Sequence, residues 1–109
     1  MRMWNVRPGC MCRNHLLGEH LEMHMFAGAI KNNISVAGYA SSGLVDVRKI
    51  KSRHDDLAKE MKLRGYAHKS PLLARLIRNY KGPGGFVSVS KSKTELRGRC
   101  RECRKLLQE

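Results

Sequence analysis

Glu22 stands in a chain that carries 22 Lys and Arg against nine Asp and Glu, a formal net charge of +13. At helical spacing it falls in line with His15, Glu19 and Phe26, while His20 and His24 form an i,i+4 pair on another stripe. A carboxylate in that setting has two uses. It can pair with one of the surplus cations as an ordinary salt bridge. It can instead face a bound polyanion as a proton-transfer group, where its charge weakens binding and so needs a chemical purpose. His20 and His24 could share a zinc ion across one helical turn. They lack the His-Glu-x-x-His order, because Glu22 lies between them and does not directly follow the first. Two partly exposed imidazoles are the plainer expectation.

The cysteines are Cys10, Cys12, Cys100 and Cys103. In a chain expected to be intracellular such residues are thiols or metal ligands more often than disulfides. Cys100-x-x-Cys103 has knuckle spacing, whereas Cys10-x-Cys12 is tighter than a usual zinc half-site. Ordinary thiols are the expectation. The alternative is one zinc site in which all four thiolates tie the two ends of the chain together.

The charge points to a polyanion. From Met61 to Thr94 there is no acid, while Lys62, Arg64, Lys69, Arg75, Arg78, Lys81, Lys91 and Lys93 contribute eight bases. Such an excess adds self-repulsion and does nothing for the fold, so nucleic acid is the leading partner. A membrane surface fits less well, since no segment combines a basic face with a broad aromatic one. No apolar run approaches the roughly 20 residues of a bilayer-crossing helix, and no apolar stretch follows Arg2 and Arg7 as in a secretory signal. Hydrophobic residues at 41% and charged residues at 28% argue against wholesale disorder. An intracellular location is expected.

A chain of 109 residues makes one domain. The elements that must position these groups are helical. Residues 14–31 read as a helix, with Asn14 as cap, Leu16, Leu17, Leu21, Phe26, Ala27 and Ile30 as its apolar positions, and Asn32-Asn33 as its end. A loop-like stretch follows through Gly38 and Gly43, with a short apolar piece at Leu44-Val45. Ser52 with Asp55 resembles a capping box for a second helix through Leu57 and Met61, and Gly65 is placed to stop it. Ser70-Pro71 reads as the opening of a third helix, with Leu72, Leu73, Leu76, Ile77 and Tyr80 apolar, broken by Lys81-Gly82-Pro83-Gly84-Gly85. The chain should return to helix over 89–107, weakest at Gly98, or form a short strand over 87–90. The expected fold is all-α, a single compact domain of three to four helices.

The run His15-Leu16-Leu17-Gly18-Glu19-His20-Leu21-Glu22, with Phe26 and Ala27-Gly28-Ala29, resembles the first helix of the phage endonuclease V family, the pyrimidine-dimer DNA glycosylases with AP-lyase activity. Arg53-His54-Asp55-Asp56-Leu57, Glu60, Arg64-Gly65-Tyr66 and Lys69 are similar to that family's later helix and its ending. Met1-Arg2-Met3-Trp4 is similar to the start of its bacterial and viral relatives. The likeness covers roughly residues 1–70, and 86–109 form a divergent Cys-containing tail. It departs at Leu21 and Met25, where the family enzyme carries arginines, and the family's aromatic-rich tail has no counterpart.

The resemblance implies a nucleophilic α-amine at Met1, which the following Arg2 would keep from removal, and an acid–base carboxylate at Glu22. It further implies DNA contacts from Arg2, His15, Arg64 and Lys69. No metal or cofactor is expected. The partner would be double-stranded DNA with a lesion or abasic site, bound by a monomer, in a bacterium or a virus-infected cell. The chemistry is coherent. An α-amine titrates near 7.7–8.0 against about 10.4 for Lys, so about 300-fold more of it is neutral at pH 7. A protein can therefore form an imine with a sugar carbon through its own terminus. The alternative is a non-catalytic basic DNA-binding protein on the same scaffold, zinc-stabilised if the cysteines act together.

Overall fold

The computed structural model describes residues 1–108. The described residues contain no strand. They form five α-helices: α1 (Arg13–Lys31), α2 (Ala37–Ser41), α3 (Ile50–Leu63), α4 (Val89–Arg99) and α5 (Arg101–Leu106). Short 3₁₀ turns lie at Pro8–Cys10, Val47–Lys49 and Ala74–Leu76. The all-helical expectation holds, with three longer helices and two short ones.

The core is the seam between α1 and α3. Leu16, Met23, Phe26 and Ala27 of α1 meet Ile50, Leu57 and Met61 of α3 in one buried cluster. Each large side chain there contributes about 1.5–3 kcal/mol by leaving water. Met3, Trp4 and Val6 of the N-terminal segment insert into the same cluster. Met3 donates its N–H to the Leu44 carbonyl at 2.6 Å, which lays the segment across the short apolar piece at Leu44-Val45. Gly85, at φ +84, passes so close to Val45 that an added Cβ would stand 2.2 Å from its carbonyl oxygen. Only glycine fits there. Among the described residues no helix is long and apolar enough to cross a membrane.

Several boundaries differ from those expected. Helix α1 begins at Arg13, one residue before the expected span, and its cap is the Cys12 sulfur in place of Asn14, accepting from His15 N–H. Helix α3 begins at Ile50, and the Asp46 carboxylate upstream accepts from Arg48 N–H. Ser52 lies inside the first turn and donates its hydroxyl to Lys49 O instead. Burial of Val47 and Ile50 pulls that start upstream. The loop-like stretch holds the one-turn helix α2. Gly65, at φ +82, stops α3 as anticipated.

The helix expected after Ser70-Pro71 does not form. Of its five apolar residues only Leu72 is buried, while Leu76, Ile77 and Tyr80 pack half-buried against the core and Leu73 is exposed; a short helix so weakly anchored is marginal in water. The segment makes the single turn Ala74–Leu76. The C-terminal helix breaks at Cys100, two residues beyond Gly98, where the backbone is extended at φ −128 and ψ 115. The strand over 87–90 is absent; Ser88 caps α4 through its hydroxyl, accepting from Lys91 N–H.

Candidate active site

The extended N-terminal segment decides where Met1 sits. Met3, fully buried, pins it to the core from one side. Arg2 fixes it from the other: its guanidinium lies 3.7 Å from the Trp4 ring centre and pairs with Glu95 of α4. The α-amine of Met1 then lies 3.8 Å from Glu22 Oε1, one turn beyond Glu19 on α1. At that separation the two groups form an ion pair but not a direct hydrogen bond, so neither is tied to the other.

Glu22 is held above the ordinary carboxylate range. Burial is the main cause and Glu19 adds to it, while the Met1 ammonium, the Arg2 backbone N–H and the Arg2 charge pull the other way. Such a group keeps its proton to higher pH than a solvated glutamate, which suits an acid–base role. Among the described residues no Lys or Arg side chain forms a salt bridge with Glu22; its cationic neighbour within ion-pair distance is the Met1 amine.

Glu19 behaves differently. It is buried and takes a two-pronged ion pair from Arg53 of α3, with Nε at 2.6 Å and Nη2 at 2.9 Å. The same guanidinium donates to the Val6 carbonyl at 2.7 Å. One arginine thus fastens α1, α3 and the segment that carries Met1.

The other residues assigned by resemblance are spread out. Lys69 is exposed just beyond α3. Arg64 turns inward: it pairs with Glu60 at 2.8 Å and donates to the carbonyls of Pro8 and Met11 at 3.1 and 2.7 Å. His15 directs Nδ1 toward sulfur, 3.2 Å from Cys12 Sγ and 3.5 Å from Cys103 Sγ. Cys10 stands apart from the other three thiols and accepts from Arg7 Nη2 at 3.5 Å. Leu21 and Met25, i,i+4 neighbours beside Glu22, are 59% and 47% exposed.

His20 does not form a simple pair with His24. Its ring is packed against three others, His24, His54 and His68, at centroid distances of 5.0, 4.7 and 4.9 Å. Burial, then the like charges of His54, His24 and His68, lower its pKa from 6.5 to about 4. The unfolded chain binds this proton near the ordinary value, so between pH 6.5 and about 4 it holds more protons than the folded chain. Stability present above pH 6.5 should therefore fall as the pH drops through that window. Thermal melts at stepped pH should show the fall, and His20→Gln should flatten it; an unchanged slope in the variant would assign the effect elsewhere.

An amine thus faces a half-buried helical carboxylate within an all-helical domain of a strongly basic chain. Residues 1–74 match the family described as pyrimidine dimer DNA glycosylase. The chain belongs to that family, a group of DNA-repair glycosylases whose substrate is DNA containing pyrimidine dimers. No curated protein and no solved structure gave a match.

Proposed function

We propose that the protein excises damaged pyrimidines from duplex DNA and cleaves the strand through an imine between the Met1 α-amine and the sugar. The observation that carries this reading is the placement of the amine 3.8 Å from the Glu22 carboxylate. In the proposed sequence the neutral amine attacks C1′, the glycosidic bond breaks, and the base leaves with the electron pair and takes up a proton. Loss of the amine proton and opening of the sugar ring give the imine. Removal of a proton from C2′ then expels the 3′ phosphate by β-elimination. Glu22, with its raised affinity for protons, protonates the ring oxygen as it opens and assists removal from C2′. The target nucleotide must leave the base stack to expose its sugar carbon. Arg2, next to the amine, contacts the lesion strand, and Lys69 contacts phosphate. His15 and Arg64 belong to the same proposed DNA-contacting set; like Arg2, which pairs with Glu95, each also has a partner within the protein.

Borohydride trapping on duplex DNA with an abasic site tests this. A covalent protein–DNA adduct is expected, because reduction fixes the imine. Binding without adduct would support the non-catalytic alternative, and cleavage without adduct would require a different nucleophile.

Binding should also report the charge. About five phosphate contacts give a slope near −4.5 for log K against log salt, and Lys69→Ala should reduce its magnitude by about one while leaving lesion preference unchanged. Titrations at several salt concentrations measure it. A slope near zero would separate the +13 charge from DNA binding.

A further inference from the structure

Two clusters outside the amine–carboxylate pair gather metal-ligating atoms: Cys12, His15, Cys100 and Cys103, and His20, His54 and His68. In the histidine cluster four of the six ring nitrogens already have partners. His54 places Nδ1 2.8 Å from Asp55 Oδ1 and Nε2 3.0 Å from the Ser70 carbonyl, while His20 and His68 meet through their Nε2 atoms at 3.0 Å. Among the described residues the sulfur cluster has no such oxygen partners, and its four ligand atoms lie within 4.8 Å of one another.

The distances within it are informative. Cys12 Sγ is 3.8 Å from Cys100 Sγ and 3.2 Å from His15 Nδ1, and Cys103 Sγ is 3.5 Å from the same nitrogen. A tetrahedral zinc ion with bonds of about 2.3 Å to sulfur and 2.0–2.1 Å to nitrogen has edges of about 3.8 Å between sulfurs and about 3.5 Å from sulfur to nitrogen. A disulfide needs about 2.05 Å instead, and the cysteines are free. Three of the six edges are thus close to those of a tetrahedral site, and the others are no longer than 4.8 Å.

We infer that Cys12, His15, Cys100 and Cys103 bind a structural zinc ion that clasps the C-terminal arm to the start of the helix bearing Glu22. The ligands come as two half-sites of matching spacing, Cys12-x-x-His15 and Cys100-x-x-Cys103. Each first cysteine is also the cap of a helix, Cys12 of α1 and Cys100 of α5. Backbone N–H groups converge on the sulfurs: His15 on Cys12 at 3.5 Å, Cys103 on Cys100 at 3.4 Å, and Cys12 on Cys103 at 3.3 Å. Such donors spread the charge of a thiolate, as the shell around a metal ligand does. Binding releases three thiol protons, and three thiolates with one neutral imidazole and Zn²⁺ leave a net −1. Arg99, Arg101 and Arg104 flank the site in sequence with opposite charge. With four protein ligands and no open position, the ion is structural. It also accounts for α5: a helix of six residues cannot hold itself together, yet Cys103 and Leu107 are buried.

The test uses the full chain, purified with thiols reduced. Elemental analysis should find about one zinc per chain, and Co²⁺ should give tetrahedral d–d bands with thiolate charge transfer. Cys10→Ser should keep both. Cys100→Ser and His15→Ala should each weaken cobalt affinity at least about tenfold, and His15→Cys should restore a tetrahedral spectrum with added thiolate absorption. Should a variant fail to fold, judged by far-UV circular dichroism, the unmodified chain's zinc content and cobalt spectrum decide. Three outcomes overturn the inference: reduced protein without zinc or a tetrahedral cobalt spectrum, metal lost in Cys10→Ser but kept in His15→Ala, or a native Cys12–Cys100 disulfide.

Discussion

Glu19→Gln should destabilise the fold by about 3 kcal/mol or more, among the largest costs any single substitution here would carry. Glutamine has nearly the same shape, so packing changes little. What changes is that the Arg53 guanidinium, with its side chain 4% exposed, loses the carboxylate that balances its charge. Removing one partner of such a pair leaves a buried ion uncompensated, which typically costs about 3–5 kcal/mol out of a total near 5–15. For a chain of this length that corresponds to a melting temperature lower by roughly 13–22 °C. Arg53→Met should cost a similar amount by a different route, since it strands both Glu19 and the Val6 carbonyl. The double replacement Glu19→Leu with Arg53→Met should recover part of the loss, because no charge is then left behind. It should not recover all of it, because the Val6 carbonyl still lacks its donor. Urea unfolding measures each. A cost below about 1 kcal/mol for Glu19→Gln would show that water reaches the pair, contrary to its burial.

The two glutamates show what a sequence can and cannot specify. Glu19 and Glu22 fall on one stripe of α1, and helical spacing alone assigns the salt-bridge role to either. The deciding partners lie elsewhere in the chain: Arg53 is 34 residues from Glu19, and the amine of Met1 arrives by an extended segment with no periodicity to read. Local signals did well where local forces decide. The end of α1 at Asn32-Asn33, the Gly65 stop and the helical character of the chain were legible. Helix starts were less so, because burial of Val47 and Ile50 outweighed the polar pattern at Ser52 and Asp55. The helix after Ser70-Pro71 failed for a related reason: the fold buries only Leu72 fully and leaves Leu76, Ile77 and Tyr80 half-buried against the core. The cysteines carry the same lesson. Pairing Cys10 with Cys12 follows from their proximity in sequence, yet Cys12-x-x-His15 has the same three-residue step as Cys100-x-x-Cys103. That match was present in the residues and would have pointed to His15.

These long-range contacts converge on one object. Arg53 fixes the segment behind Val6, Met3 is sunk in the core, and Arg2 pairs with Glu95 on the helix that leads into the Cys100 break. Both ends of the chain are therefore brought against α1, and the position of the amine depends on each. A nucleophile at a chain terminus has no side-chain rotamer to preserve; it is held by whatever holds the following few residues.

For that reason the largest effect on activity should come from Met1. One extra residue before it, or acetylation of its amine, should abolish borohydride trapping while DNA affinity stays within a few-fold. Acetylation removes the lone pair that attacks C1′, and an added residue moves the amine out of the position set by Met3 and Arg2. Attack requires an approach of about 3–3.5 Å, so a displacement by one residue is beyond repair by small adjustments. The basic surface is untouched, and binding through phosphates should persist. Glu22→Gln complements this. It preserves the shape, removes the proton-transfer group, and should lower strand cleavage by at least about 10²-fold. Binding should stay equal or tighten, because a negative charge leaves the surface that meets the phosphates. A purely electrostatic role for Glu22 predicts a different pattern: some loss of stability, with no loss specific to cleavage. Gel assays of cleavage alongside equilibrium binding separate the two. Strand cleavage that survives both a blocked terminus and Glu22→Gln would place the nucleophile elsewhere in the chain, and the 3.8 Å pair would then be only a surface contact.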